Sequence, residues 1–170
     1  MERCDGGLLD DGRYQAWLNL IQAHSVVSAR IESRLHAACG LSLAEHELLI
    51  RLAQAPDRRA RMQDLSSLLL LSKSGITRLV DRLESRDLVT REMSRADRRV
   101  IMAVLTERGI ELMDRARPFI AEGIDEFFSR HLSETEIARL RALLRKVLTG
   151  NNEWTETRCD LTVGRETATA

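Results

Sequence analysis

Ser72, Lys73, Ser74, Thr77, Arg78 and Arg82 gather three hydroxyls and three cations within eleven residues, largely at steps of three and four. On a helix that spacing gathers them toward one side. Ile76, Leu79, Val80 and Leu83 interleave with them and fall on the opposite stripe. Short hydroxyls and long cations on one face suit hydrogen bonds to base edges and ion pairs to phosphates. A second basic cluster, Arg95, Arg98 and Arg99, sits in the short polar run that follows Met93. A guanidinium presented there is chemically suited to a narrow minor groove, where negative potential is high. The whole chain has no net charge, yet residues 58–99 hold 11 Lys or Arg against 6 Asp or Glu, and the remainder 15 against 20. A local excess of +5 inside an acidic chain is the pattern of a phosphate-binding face. The same charges also suit a solvated helix beside an ordinary exposed hairpin.

Other chemistry finds little support. There is no G-x-S-x-G, no phosphate-cradling glycine loop, and no Ser/His/Asp set or carboxylate pair at an interpretable spacing. An enzyme is therefore not expected. His24, His36, His46 and His131 fall on separate helices, and Cys4, Cys39 and Cys159 form no CxxC pair. Neither a disulfide framework, a metal site nor a cofactor is expected. Inert thiols fit Cys4 and Cys39, with thiol-based redox sensing as the alternative. The longest run of large apolar residues, Leu68 to Leu71, is too short to span a bilayer, and the first residues lack a signal-peptide pattern. A cytoplasmic protein without a membrane partner is expected.

These residues must be held by a mainly α scaffold with a small β-hairpin. Aromatics are only 4% of the chain while aliphatic residues dominate, so the core should form from helices packed through leucine-rich faces. Tyr14, Trp17, Leu18, Ile21, Ile31 and Leu35 recur along one face of a first helix over residues 12–38, and Gly40 is a natural stop. Ser42 and Glu45 form a capping box that opens a second helix, which Pro56 ends. A short helix fits Met62 to Leu70, and Ser72 caps the next one, running to about Ser85. Leu88–Met93 and Val100–Leu105 then alternate like strands about a polar turn, the only hairpin candidate. Thr106 caps a long helix to about His131, with a bend expected near Pro118. Ser133 and Glu136 form a second capping box, opening a helix to about Leu148 that Gly150 stops. Residues 1–11 read as a flexible start and 151–170 as a polar tail in which Trp154 could dock on a partner.

Helix, tight turn, polar-faced helix and basic hairpin together make a winged helix-turn-helix. Asp97 to Gly109, D-R-R-V-I-M-A-V-L-T-E-R-G, resembles the wing signature of the MarR family (multiple-antibiotic-resistance regulators): D-x-R, an apolar strand, then L-T-x-x-G. Ser72 to Val89 resembles that family's recognition helix and its entry into the wing. The resemblance implies a homodimeric transcription regulator, a repressor released by a small-molecule effector, that reads a pseudopalindromic double-stranded operator. Its recognition-helix positions match Ser72, Ser74, Thr77 and Arg78. Its wing arginine matches Arg99, with Asp97 as the acid that orients it, and Arg95 and Arg98 as phosphate contacts. Residues 12–40 and 106–149 would be dimerisation helices flanking a DNA-binding lobe at 42–105. A small aromatic or anionic effector is expected between the dimer helices and that lobe, near Trp17, Arg30 or His46. Trp17 reads more simply as an ordinary core position. A winged-helix protein-interaction module without DNA binding is the rival from another class.

Overall fold

The computed structural model describes residues 11–94 and 97–151. Its first helix, α1 (Gly12–Cys39), starts where the Asp11 carboxylate accepts the Arg13 backbone N–H, and stops where Gly40 turns left-handed (φ 64°). The helix α2 (Leu43–Gln54) begins with both halves of the expected capping box: Ser42 Oγ accepts from Glu45 N, and Glu45 accepts from Ser42 N at 2.9 Å. A 3-10 turn at Pro56–Arg58 follows, then strand β1 (Arg59–Arg61), helix α3 (Met62–Leu68) and helix α4 (Lys73–Glu84). Strands β2 (Val89–Met93) and β3 (Ile101–Leu105) form the hairpin, and α5 (Glu107–Phe127), a 3-10 turn and α6 (Glu134–Gly150) complete the described chain.

The sheet is antiparallel in the order β1-β3-β2, with Val89 opposite Leu105 and Ala60 opposite Ala103. The hairpin is as expected, although its strands begin at Val89 and Ile101, each one residue late. The third strand was not expected: Arg-Ala-Arg has no alternation of apolar and polar residues long enough to announce a strand.

The turn between α3 and α4 corrects a further expectation. α3 ends at Leu68, not Leu70, because Leu70 adopts φ 55°. Leu71 N–H donates to Ser66 O and Leu70 N–H to Ser67 O, the paired bonds of a Schellman turn. α4 ends the same way: Asp87 has φ 57°, Leu88 N–H donates to Leu83 O and Asp87 N–H to Glu84 O. Both turns place a non-glycine where glycine is usual, so neither stop was visible as punctuation. Likewise α5 ends at Phe127, where Phe128 leaves helical geometry, and Pro118 is carried inside it. Gly150 is the last residue of α6, with Asn151 as its cap.

One core gathers Leu35, Leu41, Leu48, Leu49 and Leu52 with Leu65, the apolar stripe of α4, and Leu88, Val89, Ala103, Leu105, Leu112 and Ala116. The L-T-x-x-G run binds the hairpin to it. Leu105 is buried, Thr106 Oγ1 accepts from Gly109 N and donates to Asp87 O, and Thr106 N–H donates to Leu88 O. Gly109 lies so close to this turn that a Cβ would stand 2.3 Å from Leu88 O. Elsewhere the scaffold helices are left bare. α1 has no buried residue before Ile31 and α6 has none at all, while Trp17, Leu20, Ile21, Leu143 and Val147 are exposed.

Candidate nucleic-acid interface

α4 divides as the sequence suggested. Ile76, Leu79, Val80 and Leu83 are buried, whereas Ser72, Lys73, Ser74, Thr77, Arg78 and Arg82 are all exposed. The hydroxyls are partly committed. Ser72 Oγ accepts the Gly75 N–H at 3.1 Å as the N-cap and lies 3.1 Å from Ser74 Oγ. Thr77 Oγ1 donates back to Lys73 O at 2.8 Å, which leaves its lone pairs free to accept.

The cations divide into two groups. Among the described residues, no carboxylate pairs with the side chain of Arg61, Lys73, Arg78, Arg98 or Arg99, and all five are exposed. The others are paired with carboxylates: Arg58 with Glu107, Arg59 with Glu92, Arg82 and Arg86 with Glu45, and Arg91 with Asp81 and Glu84. The unpaired positive charge of this segment therefore collects at the end of β1, at the start of α4 and at the hairpin turn. Between them runs a groove of about 440 Å³ lined by Arg61, Gln63, Thr77, Asp81, Arg91 and Arg99.

Asp97 acts on the backbone of the hairpin turn. Its Oδ1 accepts the Arg99 N–H at 3.0 Å, its carbonyl accepts the Val100 N–H at 3.0 Å, and Ser94 N–H donates to Val100 O. It thus sets the turn from which Arg99 projects, rather than gripping the guanidinium itself. Arg95 lies outside the described residues.

Sequence reasoning missed Arg91. From β2 its Nη2 reaches Asp81 Oδ1 at 2.7 Å and Thr77 O at 3.2 Å. Its backbone N–H donates to Glu84 Oε1, and its Nη1 pairs with the other oxygen of that carboxylate. Three bonds from one side chain fix the angle between hairpin and α4. No local spacing signals a contact between residues seven to fourteen apart on a helix and a strand.

The three residues named for an effector do not converge within one protomer. His46 lines an apolar cavity of about 310 Å³ between α2 and α5, with Ile50, Ala53, Met113, Ile120 and Ile124, and Gln54 and Arg117 as polar lining. Burial lowers the His46 pKa below the usual histidine value, with nearby Glu47 partly opposing. Arg30 instead stacks on the Phe127 ring, 5.5 Å from its centroid, in a separate shallow groove with Arg34. Trp17 lines neither, and is 57% exposed. Cys39 is buried in the core, while Cys4 and Trp154 lie outside the described residues. No described helix is long and apolar enough to cross a membrane.

Residues 40–100, from the cap that ends α1 to the residue before β3, match the MarR family model. The chain is also 34% identical over 128 residues to the HTH-type transcriptional regulator MhqR of Bacillus subtilis, spanning 75% of this chain and 86% of that one. The chain belongs to the MarR family. Further relatives of this MarR-family regulator include the transcriptional repressor MprA of Escherichia coli, 30% identical across 82% of this chain and 80% of that protein. Among solved structures, AbsC of Streptomyces coelicolor superposes with a TM-score of 0.77 at 28% identity, covering 85% of this chain and 97% of its own. Sco3205 from the same organism, solved in complex with DNA, gives 0.76 at 27% identity over 82% and 92% of the two chains. In MarR terms α3 and α4 are the helix-turn-helix and β2–β3 is the wing.

Proposed function

We propose that this MarR-family regulator binds double-stranded DNA as a homodimer, with α4 in the major groove and the wing turn over the minor groove. The observation that carries this reading is the uncompensated charge: Lys73, Arg78, Arg98 and Arg99 stand exposed without carboxylate partners on the two elements that flank a groove. Ser72, Ser74, Thr77 and Arg78 contact base edges or phosphates, Lys73 and Arg82 phosphates, Arg99 the minor groove, and Arg98 and Arg95 the flanking backbone. Asp97 supports the turn. The relative solved on DNA supports the same reading.

The bare faces of α1 and α6 supply the dimer contact. Trp17, Leu20, Ile21, Leu143 and Val147 are more apolar surface than a monomer ordinarily leaves in water. Residues 12–40 and 106–149 accordingly form the dimerisation scaffold and 42–105 the DNA-binding lobe. A two-fold axis then presents two copies of α4 to successive major grooves of a pseudopalindrome. Repression follows from occupying such a site in a promoter, and the α2–α5 cavity receives the effector that relieves it. Its apolar walls suit an aromatic body, and Arg117 with neutral His46 suits a polar or anionic substituent.

Selection of bound duplexes from a random pool tests the proposal. Recovery of a pseudopalindrome whose affinity falls steeply with salt supports it. Recovery of no enriched sequence, with no salt dependence, would leave a protein-interaction module.

A further inference from the structure

The Glu45 carboxylate is buried beneath α4 and serves three partners at once. Oε2 accepts the Ser42 backbone N–H at 2.9 Å, completing the α2 cap. Oε1 accepts Arg82 Nε at 3.0 Å, although 37 residues separate the two. Arg86 Nη1 stands 3.7 Å from Oε2 while donating to Gly40 O at 2.8 Å, and Arg86 Nη2 donates to Cys39 O at 3.3 Å. One carboxylate thus joins the closed end of α1, the start of α2 and the last turn of α4.

The geometry points to Glu45 as a positioning residue that aims Arg82 at a DNA phosphate. This rests on the DNA-binding reading above. Guanidinium donates through Nε and two Nη groups in one plane. With Nε held by Glu45, the two Nη groups make no hydrogen bond to any described residue. The Arg82 side chain is 57% exposed while that of Glu45 is 8%, so the fixed end lies inside and the free fork outside. A paired Nη fork matches two phosphate oxygens. An arginine held in one pose also loses less rotamer freedom on binding than a free one. Arg86 extends the same carboxylate to the end of α1, so the phosphate contact is referenced to the scaffold helix.

Glu45→Gln is the informative variant, because glutamine can keep a capping box but cannot offer a carboxylate to Arg82. The full-length protein and the duplex it selects from a random pool are used, with affinity measured across a salt series. Each lost phosphate contact removes about 0.9 from the slope of log K against log salt, so Arg82→Ala lowers a dimer's slope by about 2. E45Q should lower it by at least half as much, and should have no further effect in the R82A background. A slope unchanged by E45Q, or an equal loss with and without Arg82, overturns the inference, because Glu45 then acts only through the α2 cap. If the parent binds no duplex at all, it is the DNA-binding reading that fails, before this one is reached.

Discussion

Gly109→Ala should be among the most damaging single-methyl changes in this chain. The added Cβ would lie 2.3 Å from Leu88 O and 2.7 Å from Leu105 Cδ1, where ordinary contact begins at 3.4 Å. The leucine methyl can rotate, but Leu88 O belongs to the backbone at the foot of the wing and already accepts the Thr106 N–H. A gap of about 1 Å must therefore open between α5 and the α4–β2 turn, and overpacking against a rigid neighbour costs roughly 3 kcal/mol, the top of the usual range. Helix propensity works the other way by at most about 1 kcal/mol, since alanine is the better helix former. A net loss of roughly 2–3 kcal/mol corresponds to a fall in Tm of about 4–12 °C for a domain of this size. Thermal unfolding followed by circular dichroism at fixed protein concentration measures it, with two internal controls. At Gly150 a Cβ meets nothing within 4 Å, so Gly150→Ala should leave Tm unchanged or higher. At Gly123 a Cβ would meet Ile31 side-chain atoms from 3.2 Å, so the loss should fall between the two. A Gly109→Ala protein as stable as the Gly150→Ala protein would refute the close approach of wing and α5.

Leu70→Gly should raise stability by about 0.5–1 kcal/mol in thermal unfolding, because an exposed leucine at φ 55° carries left-handed strain that glycine relieves. Ser133→Ala should lower it by about 1 kcal/mol through the lost α6 cap. Because burial holds the His46 pKa down, the unfolded chain takes up a proton that the folded one refuses. Stability should therefore fall as pH drops below about 6.5, and His46→Gln should flatten the chemical-denaturation profile in that window. Arg78→Ala should cost roughly 1–3 kcal/mol of specific binding, and Arg99→Ala should weaken binding without changing the protein's sedimentation.

The parts of the fold legible in the sequence were those with a local cause. Ser42 with Glu45, Ser133 with Glu136, Ser72 and Thr106 all cap helices through contacts three residues away, a distance that a linear reading spans. The division of α4 was equally legible, since a 3.6-residue period sorts Ile76 and Leu79 from Thr77 and Arg78. What escaped was conformational or distant. Leu70 and Asp87 close helices in a left-handed pose that their residue types do not advertise. β1 exists because Arg59–Arg61 lie beside β3, a matter of tertiary placement. Arg82 read as a DNA-facing cation and is half committed to Glu45, while Arg91 read as a strand residue and ties the wing to α4. Trp17, Arg30 and His46 were grouped by resemblance alone, and within a protomer they face different surroundings.

The central claim is tested most directly by hydroxyl-radical footprinting of the full-length protein on a duplex it selects itself. Two α4 helices related by a two-fold axis should protect two patches centred about one helical turn, roughly 10–11 base pairs, apart, with a minor-groove signal beside each that disappears in Arg99→Ala. Protection of a single patch, or a footprint that Arg78→Ala and Arg99→Ala leave intact, would contradict the placement of α4 and the wing on DNA.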